Sequence, residues 1–165
     1  MEAYNLRKSS GSKEIEIDLS SLGTYIVYGE SGDTEDYATT YMSGNKRILD
    51  ITVWNSYRSH ITNYIALGPF FNNVQSCEIS VYINGYVYTG FISSNSGSGV
   101  SVGSSAIVYK YYSTGQENFN WNGTITKPSN NIIISGYIDK STTTSQRFVS
   151  HIEINSIKIS KIKFI

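Results

Sequence analysis

The stretch Ile79-Ser80-Val81-Tyr82-Ile83-Asn84-Gly85-Tyr86-Val87-Tyr88-Thr89-Gly90-Phe91 carries the plainest local signal in the chain. Asn84-Gly85, set between β-branched and aromatic residues, predicts a β-hairpin closed by a type I′ turn. That turn needs two positive-φ residues, and its twist suits the strands it joins. A two-residue loop sets the register: Ile83 faces Tyr86, Val81 faces Tyr88 and Ile79 faces Gly90, with Tyr82 against Val87 and Ser80 against Thr89 on the other side. Large side chains on both sides predict a strand pair packed on one face and at least half covered on the other.

Composition extends the β reading to the whole chain. Its 165 residues hold 22 Ile and 14 Tyr against 5 Leu and 4 Ala, and the first two favour pleated surfaces where the last two favour helices. The length suits one domain with a continuous core. Only 16% of residues are charged, below the ~25% of ordinary domains, so Ser, Asn, Thr and Gly give a neutral, hydroxyl-rich surface. A formal net charge of +0 supplies no field for nucleic acid or an anionic membrane. Cys77 stands alone, which rules out an internal disulfide and suits a small buried apolar residue. No apolar run resembles a signal peptide or a membrane span.

Along the chain, residues 1 to 13 lack periodicity and read as a flexible leader or attachment segment, with a single domain over 14 to 165. Period-two alternation predicts a strand from Glu14 to Leu19, with Ile15, Ile17 and Leu19 on one face. Further strands are expected over 24 to 28, weakly over 37 to 42, and over 47 to 54 and 60 to 67, the last ended by Gly68-Pro69. Ser93 to Ser105, almost wholly Ser, Gly, Asn and Val, reads as a long flexible loop rather than a strand, with Val100 and Val102 open as the start of the next strand. Strands follow over 106 to 112, 119 to 126 and 132 to 138, where Ile132-Ile133-Ile134 is apolar on both faces and marks a central strand. The chain closes with strands over 146 to 154 and 157 to 165. In the latter, Ile157 and Ile159 fall out of phase with Ile162 and Phe164, which calls for a bulge near Ser160-Lys161. About ten short strands without a helix predict an all-β, antiparallel two-sheet sandwich, jelly-roll-like.

Chemistry is sparse. The histidines are His60 and His151, and His151 shares a strand face with Glu153 at i, i+2, read as a solvated pair rather than a catalytic dyad. Nucleophile elbow, zinc helix and phosphate-loop motifs are absent from the sequence, so the chain reads as non-catalytic and without a cofactor. The acidic series Glu30, Asp33, Glu35, Asp36 has oxygen ligands of the kind calcium takes but lacks loop spacing for it, and reads as solvated charge.

Aromatics beside polar loops are more informative. Trp54, Tyr57 and Arg58 form one such group, and Trp121 with Asn118, Asn120 and Asn122 another. Aromatic faces pack on the C–H faces of sugars while amides and guanidinium meet hydroxyls, and the same residues favour protein interfaces. Either indole can instead sit in the core, Trp54 more so because it ends an alternating strand. The expected ligand surface centres on Trp121.

The opening Ile15-Glu16-Ile17-Asp18-Leu19-Ser20-Ser21-Leu22-Gly23-Thr24-Tyr25-Ile26-Val27-Tyr28, the Ser/Asn/Gly loops and the Lys/Ile closing strand resemble the β-rich virion proteins of tailed bacteriophages, of the head-fibre, tail-fibre or baseplate receptor-binding type. The resemblance implies a sandwich, often trimeric, displayed on a virion to bind a bacterial surface glycan or another virion protein. It transfers no functional residue. A free-standing carbohydrate-binding module is the second reading, and an enzyme the third. Tyrosine-rich, weakly charged surface favours a homo-oligomer, and Lys158, Lys161 and Lys163 read as charged protection of an edge strand.

Overall fold

The computed structural model describes residues 13–29, 36–54, 60–90, 96–111, 114–126, 132–140 and 147–165. The expected leader, except Lys13, and the acidic series, except Asp36, lie outside the described residues, as do Tyr57 and Arg58.

Two antiparallel sheets face each other across the core, as the all-β sandwich reading requires. One runs β3 (Tyr37–Ser43), β4 (Lys46–Val53), β11 (Phe148–Phe164), β6 (Val74–Thr89), β9 (Gly115–Thr126), with the short β1 (Ile15–Glu16) also on β11. The other runs β2 (Thr24–Tyr28), β5 (His60–Ala66), β10 (Ile133–Lys140), β7 (Ser96–Val102), β8 (Ser105–Tyr111). The chain changes sheet at most connections, the alternation of a jelly roll. β10, carrying the Ile133-Ile134 pair, is the middle strand of its sheet, as apolar character on both faces predicts.

The expected hairpin is absent. Residues 74 to 89 form one continuous strand, flanked along its length by β11 and β9, and Asn84-Gly85 lies in its middle. Full ladders on both sides outweigh the local turn preference, so Tyr86 continues the strand instead of folding back on Ile83. Gly85 is required for another reason. Its φ is 156°, and a Cβ there would stand 2.0 Å from the His151 carbonyl oxygen and 3.1 Å from the Phe119 ring. Only glycine allows β11 and Phe119 to come this close.

β6 and β11 form the spine of the core. Ile79, Val81, Ile83 and Val87 of β6 point inward and are fully buried, facing Val100, Val102, Ile134 and Ile65 of the other sheet in one cluster. Each such side chain contributes about 1.5–3 kcal/mol. β11 keeps its apolar residues inside over 17 residues by two of the three shifts in its register with β6. Phe148, Ser150, Ile152 and Ile154 point in; after an irregularity between Ile154 and Ser156 the inward residues are Ile157 and Ile159; after another between Ser160 and Lys163, Ile162 is buried. The second is the expected bulge, with Lys161 at φ 50°. An extra residue flips the alternation, so each bulge returns the isoleucines to the core.

Three other expectations change. The 14 to 19 strand shortens to Ile15–Glu16, because Asp18 caps a 3-10 turn over Leu19–Ser21 by accepting from the Ser20 backbone N–H at 3.0 Å; Ile17 and Leu19 are still buried. Residues 96 to 102, within the predicted flexible loop, are strand β7, paired on both sides. Of the β11 lysines, Lys158 lies where β1 covers the strand and pairs with Glu14 at 3.5 Å, so it guards no edge; Lys161 and Lys163 lie beyond β1 and β4, where β6 alone pairs with the strand among the described residues, and Lys161 pairs with Glu78 at 2.8 Å. Cys77 is buried, as read.

Candidate functional site

Alternation sends Tyr82, Asn84, Tyr86 and Tyr88 of β6 to the outward face of the larger sheet, because Ile79, Val81, Ile83 and Val87 point in. Register then assembles a row across four strands. Asn118, Asn120 and Asn122 of β9 pair with Tyr86, Asn84 and Tyr82, while His151 and Glu153 of β11 pair with Tyr86 and Asn84 on the other side, and Asp50 of β4 pairs with His151. Of this row, Tyr82, Asn84, Tyr86, Asn118, Asn120, His151 and Glu153 line a groove of about 510 Å³ bounded by Lys46, Phe119 and Asn155.

A polar chain fixes the floor. Asn84 Nδ2 donates to Glu153 Oε2 at 2.7 Å, Asn155 Nδ2 donates to Asn84 Oδ1 at 2.6 Å, and Lys46 Nζ lies 3.6 Å from Glu153 Oε1. Asn155 is the residue inserted at the first β11 irregularity, so the bulge re-aims an amide onto the floor. Because each end of the Asn84 amide has a partner, its orientation is set. Beside it the Tyr86 ring stacks on His151, centroids 5.0 Å apart at 24°, and His151 Nδ1 lies 3.6 Å from Asp50 Oδ2. Burial, with the Asp50 charge second, pushes the Tyr86 and Tyr41 hydroxyls above the usual tyrosine range. They remain neutral donors and acceptors at physiological pH. At one end of the face Arg147 stacks over Trp54 at 4.7 Å and approaches the Tyr88 ring at 5.4 Å.

The expected site residues are redistributed. Trp121 does not share a surface with Asn118, Asn120 and Asn122. Successive residues of β9 point to opposite faces, so its indole packs on the core over Gly123, whose Cβ would meet it at 2.2 Å, while the three asparagines face outward. Those asparagines do line or border the groove. Trp54 is no core residue: it is 39% exposed, with its backbone N–H donating to Asp36 Oδ1 at 2.8 Å. His151 and Glu153 share a face, as read, but each has a different partner, Asp50 for one and Asn84 with Lys46 for the other. Sequence reasoning missed Tyr86, Asn84, His151, Glu153 and Lys46 as one site. The alternation of 82, 84, 86 and 88 signalled the β6 contribution once the hairpin was set aside. Among the described residues no cluster of His, Cys, Asp or Glu is arranged to hold a metal ion.

No protein-family model and no curated protein matches the chain. Among solved structures, the CBM22-1 xylan-binding domain from Paenibacillus barcinonensis Xyn10C is similar at 10% identity, covering 93% of this chain and 98% of that one, with a TM-score of 0.35. A CBM4 structure matches at 10% identity over 85% and 84% with a TM-score of 0.32. A family 11 carbohydrate-binding module from Clostridium thermocellum, in complex with a β-1,3-1,4-mixed-linked tetrasaccharide, matches at 11% over 88% and 96% with a TM-score of 0.27. Likeness at these TM-scores says nothing about what this chain binds.

Proposed function

We propose that the chain binds a neutral glycan, without catalysis, in the groove on the outward face of β4, β11, β6 and β9. One observation supports this most: the Tyr86 ring, braced by His151, stands beside a pre-set amide and carboxylate floor of Asn84, Glu153 and Asn155. A sugar has apolar C–H faces and a rim of hydroxyls. An aromatic ring takes the first, and fixed amides, carboxylates and an ammonium take the second without ordering cost at binding. Glu153 in the groove, with Asp50 beside His151 on the neighbouring strand, disfavours anionic ligands, which points away from nucleic acid and from acidic sugars.

A glycan array of plant and bacterial surface polysaccharides, probed with the folded chain, tests this. Retention by neutral glycans is expected, with loss in Tyr86→Ala; retention by none, or by polyanions alone, would overturn it. The virion setting implied by the resemblance and the free-standing module differ in assembly rather than in this face. Light scattering separates them, a concentration-independent mass near 18.4 kDa favouring the free module and a stable trimer the virion protein.

A further inference from the structure

Tyr86, the ring on which the proposed glycan would stack, ends a row of three side chains. Register sets it against His151 of β11, and His151 against Asp50 of β4, so phenol, imidazole and carboxylate lie side by side across three neighbouring strands. Such strands stand about 4.8 Å apart, close enough for each group to sense the next. Tyr86 and His151 line the groove, and Asp50 does not. On a neutral ligand the carboxylate acts through the imidazole between them.

That imidazole is incompletely partnered. Its Nδ1 is buried and makes no hydrogen bond among the described residues. The Asp50 Oδ2 in front of it lies 3.6 Å away, beyond hydrogen-bond range. The two side chains are only 18% and 17% exposed, so the missing bond costs more than it would in water. In the neutral ring this nitrogen either turns a lone pair toward the carboxylate or holds a proton too far from it to share. In the charged ring both nitrogens carry protons. Coulomb attraction then draws His151 and Asp50 together, and the positive ring lies against the Tyr86 face, with 5.0 Å between centroids. Protonation gives His151 a second partner and tightens its hold on the first.

The other charges near this row are occupied elsewhere. On β11 itself, Glu153 is engaged by Asn84 at 2.7 Å and by Lys46 of β4 at 3.6 Å, and Arg147 stacks over Trp54 and Tyr88. Tyr37 and Tyr41 of β3 and Tyr86 and Tyr88 of β6 bring phenols to this side, and phenols carry no charge over the range in which an imidazole titrates. β9 brings the amides of Gln116, Asn118 and Asn120. Asp50 is the charge that decides the ring's preference.

Resting on the glycan reading of the groove, we infer that His151 and Asp50 are positioning residues that couple ligand binding to a proton: the groove holds its neutral glycan more tightly when His151 is charged. The link is preorganisation. A Tyr86 ring held from behind by a charged imidazole, itself tied to Asp50, has less freedom left to lose when a sugar face closes on its front. Coupling is reciprocal, so a bound glycan favours the protonated ring in turn, and binding takes up protons where the imidazole is half charged.

Calorimetric titration with the best-retained neutral glycan from about pH 8 to about pH 5, the range over which an imidazole changes charge, tests this. Affinity should rise about threefold to tenfold as pH falls. Heats measured near pH ~6.5 in buffers of different ionisation enthalpy should reveal the proton uptake. Asp50→Asn, outside the groove, should stay at the weak high-pH affinity throughout and take up no proton. His151→Phe keeps a ring behind Tyr86 without a titrating group, and its affinity should be level with pH. His60→Gln, on the other sheet, should keep the parent's profile. Circular dichroism checks folding at each pH, and should Asp50→Asn fail to fold, His151→Phe decides alone. A parent that binds glycan with an affinity level in pH and without proton uptake overturns the coupling and leaves the groove reading standing, as does a profile that persists in a folded His151→Phe. A parent that binds no glycan at any pH overturns the groove reading and this inference with it.

Discussion

The two outward faces of the sandwich draw on the same tyrosine-rich composition and use it in opposite ways. On the larger sheet, Tyr86 stands among Asn84, Glu153, His151 and Asn155, polar neighbours that hold it beside a groove. On the smaller sheet, Tyr109 and Tyr137 reach over the glycines of β7 and stack on each other, centroids 5.7 Å apart. What a tyrosine does here is decided by the residue across the ladder: an amide or imidazole braces the ring, and a glycine leaves room for two rings to close over it. Glycine has a like effect along a strand at Trp121, whose indole covers Gly123 two residues on in β9.

The largest effect is expected where backbone meets backbone. Gly85→Val places atoms where the His151 carbonyl now lies, and should destabilise the fold by at least ~3 kcal/mol in chemical denaturation. An unchanged midpoint would mean that β11 does not run this close to β6. Trp121→Ala follows, with a loss of about 2–3 kcal/mol in the same experiment, for a half-buried indole packed on the core, and with glycan affinity retained in the folded fraction. Loss of affinity at full stability would return Trp121 to the binding surface. Gly99→Ala should cost about 1–2 kcal/mol and push Tyr109 and Tyr137 off β7, seen as a changed near-ultraviolet tyrosine circular dichroism. If that spectrum is unaltered, the rings do not rest on β7.

These variants also mark where sequence reading stops. Period-two alternation located most strands and the 160–161 bulge, because burial on one face dictates it. Asn84-Gly85 misled because its turn preference is local, whereas two neighbouring strands from distant parts of the chain, β11 and β9, decide whether it bends. Ser96 to Gly99 was illegible as a strand, though Val100 and Val102 hinted at one: room for the tyrosine rings needs the glycines that composition assigns to a loop. Alternation already implied that Trp121 and its flanking asparagines part to opposite faces. The partnership of Lys46, Asn84 and Glu153 had no such signal, since it depends on which strands become neighbours.

The smallest effect is shared by both faces and comes from proton release. Burial raises Tyr86 and Tyr41 on one face and Tyr137 on the other above the ordinary 10.0. Their stabilisation is fully present below pH 10 and is lost as pH rises from there through the folded values, because the unfolded chain releases these protons first. Thermal midpoints should therefore be level from pH 8 to about 9.5 and fall above 10, and Tyr86→Phe with Tyr137→Phe should soften that fall. A decline equally steep in the double variant would assign it to other groups.

The groove itself is tested most directly by titrating the best-retained soluble glycan of the array into the parent chain and into Tyr86→Ala by calorimetry, with circular dichroism confirming the fold of both. Loss of at least about tenfold in affinity for a folded Tyr86→Ala is the expected result. Equal affinity in the two chains would contradict the assignment of glycan binding to this face.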